Sequence, residues 1–295
     1  MLDFRVKTFI TVCEYMNFTR ASEALNITQP AVSQQIKYLE EYYGAKLFKY
    51  EGKKLLITPE GILLRDKLKQ LRNNEEHMKE QLADLSKGSK EIKMGVTMTI
   101  GEYAIVKPLG SYVTAHPSTD IKVVYGNTTQ LLKKLDNGEL DFVLVEGYYP
   151  ENEYAANIFS TEDFIAVCSA SHKFVREPHS LKDLFSERLI VRESGSGTRN
   201  ILEKGLGLYN YSISDFSHYI EASNMHMIIQ LVENNCGISF LYKTAVASDI
   251  KNGTIRELSL NDFKVRHDFT FLWDRDSIFA DEWKDICSEL KSYYK

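Results

Sequence analysis

The sequence predicts an α/β protein: a small helical head, one long helix, and a body of alternating strands and helices. Three observations carry this reading. Three short helical patterns end by Gly44, a heptad-spaced leucine run spans Leu64 to Leu85, and strand and helix patterns alternate from Ile92 onward.

In the head, Phe4, Val6, Phe9, Ile10, Val12 and Cys13 recur close to helical spacing. Phe18 follows, and Thr19 is placed to N-cap a second helix through Leu25, its oxygen satisfying an otherwise unpaired N–H. After a break at Asn26-Ile27, Thr28 caps a third helix with Pro30 in its first turn, where a missing N–H costs nothing. That helix turns Val32, Ile36 and Leu39 inward and ends at Gly44. Two short helices, a tight turn and a polar-faced third helix make a helix-turn-helix. Its leading turn and outer face hold Gln29, Pro30, Ala31, Ser33, Gln34 and Lys37. Hydroxyls and amides there can reach base edges, and lysine can reach phosphate. The next segment, KLFKYEGKKLLIT, reads as a hairpin whose tip carries Lys53 and Lys54. Such a wing sets cations beside the nucleic-acid backbone or minor groove. The rival reading is a structural three-helix module with a solvated polar face.

Charge agrees through its distribution rather than its total. The 295 residues carry a formal net charge of −5. Through Thr58 there are eight Lys+Arg against six Asp+Glu, whereas from residue 90 onward there are 22 against 29. A mildly basic head on an acidic body fits a chain whose head alone meets phosphate. No apolar run approaches the ~18–20 residues that span a bilayer, so no membrane association is expected. The N-terminal segment lacks the basic and apolar regions of a secretory signal. Cys13, Cys168, Cys236 and Cys287 are far apart with no CxxC pair, which supports neither a zinc site nor a disulfide framework and points to the cytoplasm.

From Pro59 the pattern becomes one long helix. Leu64, Leu68, Leu71, Glu75, Met78, Leu82 and Leu85 alternate spacings of four and three, a heptad seam with one polar position. A stripe this narrow wants a partner helix, so Leu64, Leu68, Leu71, Met78 and Leu82 are the expected dimerisation residues. The alternative is a helix packed on its own domain. Ser86-Lys87-Gly88-Ser89 reads as a hinge, giving domains at 1–58, 59–89 and 90–295.

The body reads as strands at Ile92–Val96, Ile121–Tyr125, Phe142–Val145, Phe164–Cys168, Leu189–Val191, Ser217–Ile220 and Ile238–Leu241, with helices between them, one running through Tyr112. Ligands of such sheets sit beyond the carboxyl ends of strands, at helix N-termini. Three strand-to-helix junctions qualify. The first holds Thr97, Thr99 and Ile100, the second Asn127 and Thr128, and the third, running from Arg192, holds Ser196, Gly197, Thr198 and Arg199, with two cations nearby. Ser223-Asn224 is a weaker fourth. Hydroxyls, exposed N–H groups and helix dipoles favour an anion there, so the expected ligand is a small anion. As ordinary N-caps, the same hydroxyls would each contribute ~1 kcal/mol of stability instead. Arg199 could alternatively pair with Glu203 along its own helix.

The stretch FTRASEALNITQPAVSQQIKYLEEYYGAKLFKYEGKKLLITPEG resembles the LysR-type transcriptional regulators nearly throughout. It has their small-xx-small-Leu second helix, the Thr-Gln-Pro-Ala-Val-Ser turn, then Leu-Glu, Leu-Phe and a closing Thr-x-x-Gly. It departs at Tyr50, where the family usually carries Arg. The resemblance implies a sequence-specific regulator of a double-stranded DNA operator, not an enzyme. Linker helices would pair the heads in a homodimer, with homotetramers usual and RNA polymerase a further candidate partner. It also implies a C-terminal effector domain like periplasmic binding proteins, with subdomains at about 91–163 plus 267–295 and at about 164–266. The loops GVTMTIGEY and RESGSGTR resemble a narrower subgroup, the regulators related to cysteine and sulfur metabolism, which makes a sulfur oxyanion the favoured effector and implies no cofactor.

Other classes fare worse. The seven His show no HxxxH or HExxH spacing, and the SGSG turn is neither GxGxxG nor a P-loop. A thiol redox switch would need an exposed low-pKa cysteine with a resolving partner. A free-standing solute-binding protein would lack the first sixty residues.

Overall fold

The computed structural model describes residues 3–294. The chain forms two compact units, one through Ser86 and one from Lys87 onward apart from Asp136–Gly138.

In the first unit, α1 (Phe4–Tyr15), α2 (Phe18–Leu25) and α3 (Gln29–Tyr43) close around Phe9, Ile10, Ala21, Val32, Ile36 and Leu39. The α2 cap is Asn17 and not Thr19: its Oδ1 accepts from the N–H groups of Thr19 at 2.9 Å and Arg20 at 3.0 Å. Thr19 therefore lies inside the first turn, where its own N–H is one of those needing a cap. Asn26 ends α2 in the left-handed conformation at φ 53°, and Thr28 caps α3 through the Ala31 N–H. The hairpin β1 (Phe48–Glu51) and β2 (Lys54–Ile57) turns at Gly52, φ +62°.

Two side chains fasten the wing. Glu40 accepts from the Leu47 N–H at 2.9 Å and from Lys46 at 2.6 Å. Thr58 donates to the Lys46 carbonyl at 2.6 Å and accepts from the Gly61 N–H at 3.0 Å. A Cβ at Gly61 would strike the Leu47 carbonyl, which gives the Thr-x-x-Gly spacing its physical reason.

α4 (Pro59–Lys87) is a 29-residue helix about 44 Å long. Here the seam expectation needs correction. Leu68 is only 4% exposed within the head core and Leu64 packs against that core, so these two serve their own domain. Leu71, Met78 and Leu82 are 53%, 46% and 63% exposed. Heptad spacing reports that a stripe is apolar, not what covers it. The Leu85 side chain lies outside the described residues.

The second unit contains β3 (Lys90–Val96), α5 (Met98–Tyr103), α6 (Val106–Ala115), β4 (Thr119–Tyr125), α7 (Thr128–Asp136), β5 (Phe142–Val145), β6 (Tyr154–Ser169) and β7 (Arg188–Arg192). It continues through α8 (Gly197–Gly207), β8 (His218–Ala222), α9 (Met225–Glu233), β9 (Ile238–Tyr242), α10 (Ala247–Asn252), β10 (Ile255–Leu258), β11 (Val265–Asp274) and α11 (Ala280–Ser292). One sheet runs in the order β4-β3-β5-β11-β6-β9-β7-β8, with β10 on β6. β3 is parallel to β4 and β5, and β7 is parallel to β8 and β9, which gives two lobes. Between them β6 and β11 run antiparallel over ten pairs with an irregularity at Phe269/Thr270.

Sequence reading overlooked β10 and β11 and saw only the last third of β6, because Asn157, Ser160, Thr161, Asp163, Arg266 and Asp268 break the apolar pattern. The helix expected through Tyr112 is two helices, parted at Ala104 and Ile105. α7 packs tightly on β3: a Cβ at Gly95 would sit 2.8 Å from both Leu131 and Leu140. Trp283, Ile286, Cys287 and Leu290 of α11 join the main core.

Leu68→Ala should destabilise the chain by about 2–5 kcal/mol in denaturant titrations. Leu71→Ala should leave folding within about 0.5 kcal/mol of wild type. Equal losses would return Leu68 to the seam.

Candidate functional site

The head exposes a polar helix face. Gln29, Pro30, Gln34 and Lys37 are exposed and Ala31 and Ser33 half-buried, while Val32, Ile36 and Leu39 anchor the opposite side. Gln29 Nε2 donates to Ser33 Oγ at 2.9 Å, which presents the two as one unit at the start of the helix. Gln35, turned the other way, accepts from the Thr8 hydroxyl at 2.6 Å and holds α3 to α1. Lys49, Lys53 and Lys54 are exposed on the wing, as is Tyr50 at 65%. Lys37 and Lys49 have only loose surface partners, Glu41 at 3.7 Å and Glu51 at 3.3 Å, so their charge remains available to phosphate.

The second unit assembles a different site where parallel strands end. β3 ends before Thr97, β5 before Glu146, and β7 at Arg192, while the turn after β4 leads to Asn127 and Thr128. Glu146 is 1% exposed. Thr97 donates to its Oε2, and both Thr99 and Thr198 donate to its Oε1, at 3.2 and 3.1 Å. The hydroxyls of Thr99 and Thr198 also meet each other at 3.2 Å. The three donors come from both lobes, so this carboxylate ties the lobes together. Burial pushes its pKa above the usual carboxylate range, against the lowering effect of the threonine hydroxyls and of nearby Arg192.

Around this carboxylate lie polar atoms without hydrogen-bond partners: Thr128 Oγ1, Ser196 Oγ, Arg192 Nη1 and Tyr242 OH. All four residues are at least nine-tenths buried. Ser196 occupies the N-cap of α8 yet makes no capping bond, and Thr97 likewise leaves α5 uncapped. The reading of these two hydroxyls as ordinary caps is thereby removed. Thr128 lies against Gly147, and Gly197 against Glu146 and Gly147, so closely that a Cβ at either glycine would collide. Arg192 is held by Glu193 through Nε at 2.8 Å and Nη2 at 3.0 Å, which leaves Nη1 unpaired.

Residues 5–62 match the bacterial regulatory helix-turn-helix protein, lysR family, and residues 86–280 match the LysR substrate binding domain. The chain is 30% identical over 269 residues to the HTH-type transcriptional regulator CysL of Bacillus subtilis, covering 90% of this chain and 89% of that one. It belongs to the LysR family. It is a DNA-binding transcriptional regulator with an effector-binding domain. Its fold resembles full-length LysG of Corynebacterium glutamicum with bound effector Arg, with a TM-score of 0.65, 14% identity, and coverage of 100% and 99% of the two chains. It also resembles the Synechocystis CcmR regulatory domain in complex with 2-PG, with a TM-score of 0.61, 18% identity, and coverage of 70% and 98%.

For this LysR regulator the structure gathers Thr97, Thr99, Thr128, Ser196, Gly197 and Thr198 at one place. Ile100 is wholly buried in the core. Asn127 caps α7, its Oδ1 accepting from the Gln130 N–H at 2.9 Å. Arg199 departs from the anion-ligand expectation: it pairs with Glu203 at 2.8 Å and Glu221 at 2.5 Å. The i,i+4 spacing to Glu203 already offered that partner, and Arg192 stands beside the site instead. Asn224 caps α9 through the Met227 N–H at 2.8 Å.

Sequence reasoning missed Glu146 and Tyr242 as site residues and had Arg192 only as the first residue of the third junction. Their available signal was position, since each closes an apolar strand: FVLV before Glu146, LIV before Arg192, ISFL before Tyr242. The cysteines are free, and burial pushes the Cys13 thiol up to about 12 and that of Cys168 to about 11. Both therefore stay protonated and unreactive at neutral pH. Among the described residues no helix is long and apolar enough to cross a membrane, and no cluster could hold a metal ion.

The raised pKa of Glu146 has a consequence for stability. Above its ordinary value of 4.5 the unfolded chain releases this proton while the folded chain retains it. Its contribution to stability is therefore present below that value and is lost as pH rises through the folded pKa. Thermal melts should show Glu146→Gln removing part of the wild-type decline in melting temperature over that window. Parallel wild-type and variant profiles would mean the carboxyl titrates normally.

Proposed function

We propose that this chain is a sequence-specific regulator whose operator binding or DNA bending responds to a small effector held through an anionic group, and that it is not an enzyme. The observation that carries the effector class is the idle Ser196 hydroxyl at the N-terminus of α8, with the Thr128 hydroxyl and Arg192 Nη1 also unpartnered around the Glu146–Gly147 segment. Buried polar groups are normally satisfied, so a set left open at a helix N-terminus fits an oxyanion. Compact acids and sulfur oxyanions suit so polar and closely walled a site. Because the carboxylate at its centre draws donors from both lobes, a ligand that replaces those contacts changes how the lobes are held. An effector acts by binding one such arrangement better than another.

On DNA, Gln29, Ser33, Gln34 and Lys37 face the major groove, with Pro30 and Ala31 closing the leading turn and Lys53 and Lys54 on the backbone. The exposed Leu71, Met78 and Leu82 of α4 pair with a second copy in a homodimer, and dimers assemble further into a homotetramer. Such a regulator works in the cytoplasm, with RNA polymerase as a further partner.

In gel-shift titrations, Gln34→Ala should cost about 1–3 kcal/mol of operator affinity and relax base preference at one position, whereas Lys53→Ala should mainly flatten the salt dependence. Unchanged affinity and specificity in Gln34→Ala would move the base-reading face elsewhere.

Calorimetric titration of the full chain with sulfite, sulfate, thiosulfate, phosphate and simple carboxylates should detect binding that Ser196→Ala weakens by about tenfold, the effect of losing one hydrogen bond to a charged group. Binding indifferent to Ser196 would sink the site.

A further inference from the structure

The charges gathered around Glu146 suit an effector that adds a positive group to its anion better than an anion alone. Arg192 is the cation whose charge acts on Glu146, and it is already bound to Glu193 through two hydrogen bonds. Arg199 is committed to Glu203 and Glu221. Lys204 is exposed and lies over the Tyr148 ring, 2.8 Å from its centroid, and burial lowers the pKa of His267 so that its ring is neutral at pH 7. Glu146 is thus a buried acid, 1% exposed, whose pKa burial raises and whose acting cation, Arg192, is already committed to Glu193. Three threonine hydroxyls donate to it, and a carboxylate can accept about four hydrogen bonds. Wherever Glu146 is ionised, a lone anion seated on Ser196 and Thr128 would meet a like charge nearby, and like charges in a water-poor site repel strongly.

We propose that the effector is a small zwitterion of the α-amino-acid type, whose carboxylate is taken by Ser196, Thr128 and Arg192 and whose ammonium pairs with Glu146. This rests on the anion seat argued above and adds a second, oppositely charged seat to it. The two seats adjoin: Gly197 separates Ser196 from Thr198, which reaches Glu146, and its backbone lies directly against Glu146 and Gly147. That short span matches a carboxylate and an ammonium carried on one carbon. The ammonium supplies a positive charge and a donor for the remaining acceptor position. The orphaned Tyr242 hydroxyl, which the Glu146 charge already influences, offers a further donor or acceptor to a polar side chain on the ligand. The close walls at Gly147 and Gly197 limit the ligand to a small one.

The test is calorimetric titration of the full chain at pH 7 with glycine, L-alanine and L-serine, and with acetate, sulfate and methylamine as half-ligands. The expected result is that at least one amino acid binds tenfold or more tighter than acetate, sulfate or methylamine. Glu146→Gln should weaken that amino acid by about 10–100-fold, the effect of losing a charge-assisted hydrogen bond, and leave acetate and sulfate unchanged or tighter. Ser196→Ala should weaken the amino acid and the simple anions alike. Retained operator binding in each variant confirms that it is folded. A wild-type measurement needs no variant: in buffers of different ionisation enthalpy, the amino acid should bind without net proton uptake. If simple anions bind as well as every amino acid, with a proton taken up and tighter in Glu146→Gln, the zwitterion is overturned while the anion seat stands. If no probe binds, or Ser196→Ala changes nothing, the anion seat itself fails and the zwitterion with it.

Discussion

The effector domain is organised around the satisfaction of one buried carboxylate. Removing Glu146 from water costs several kcal/mol unless donors surround it, and three threonine hydroxyls do so. Two of them follow β3 in the first lobe and the third opens α8 in the second. The same residue that must be solvated by the protein therefore sets how closely the lobes approach. It also draws Thr97 away from helix capping, and the close fit at Gly197 and Gly147 leaves no room for a side chain between the walls.

Around this constraint the sheet supplies the frame. β6 and β11 cross between lobes as one antiparallel pair, and the parallel strands on either side deliver their carboxyl ends to the same region. Junctions distant in sequence, such as residues 97–99, 128, 146 and 196–198, can meet there only because the chain crosses twice. The head follows another logic. Its caps and wing contacts are local, with Glu40 and Thr58 joining segments seven and twelve residues apart, so its helix ends and wing follow short-range instructions.

The sequence was most legible where a residue's role depended on its neighbours along the chain. The third helix, from Thr28 to Gly44, the wing and the position of β5 all follow from caps, glycines and apolar period. Leu68 and Arg199 show the limit. Leu68 fits a heptad seam yet lies in the head core, and Arg199 sits beside an anion-friendly turn yet answers Glu203 and Glu221. In both cases the spacing was correct and the partner was not in the pattern.

By itself the sequence determined the order of domains, the helix-turn-helix with its polar face, and the hydroxyl-bearing junctions that became walls of one site. These are properties of local period, capping and composition, which act over a few residues. Only the tertiary structure decided that Glu146 lies at the centre of those walls, that Arg192 replaces Arg199 beside them, and that the Ser196, Thr128 and Tyr242 hydroxyls have no internal partner. Burial and pairing are relations between segments far apart in the chain, and an acid at a strand end has the same letter whether water or three threonines surround it.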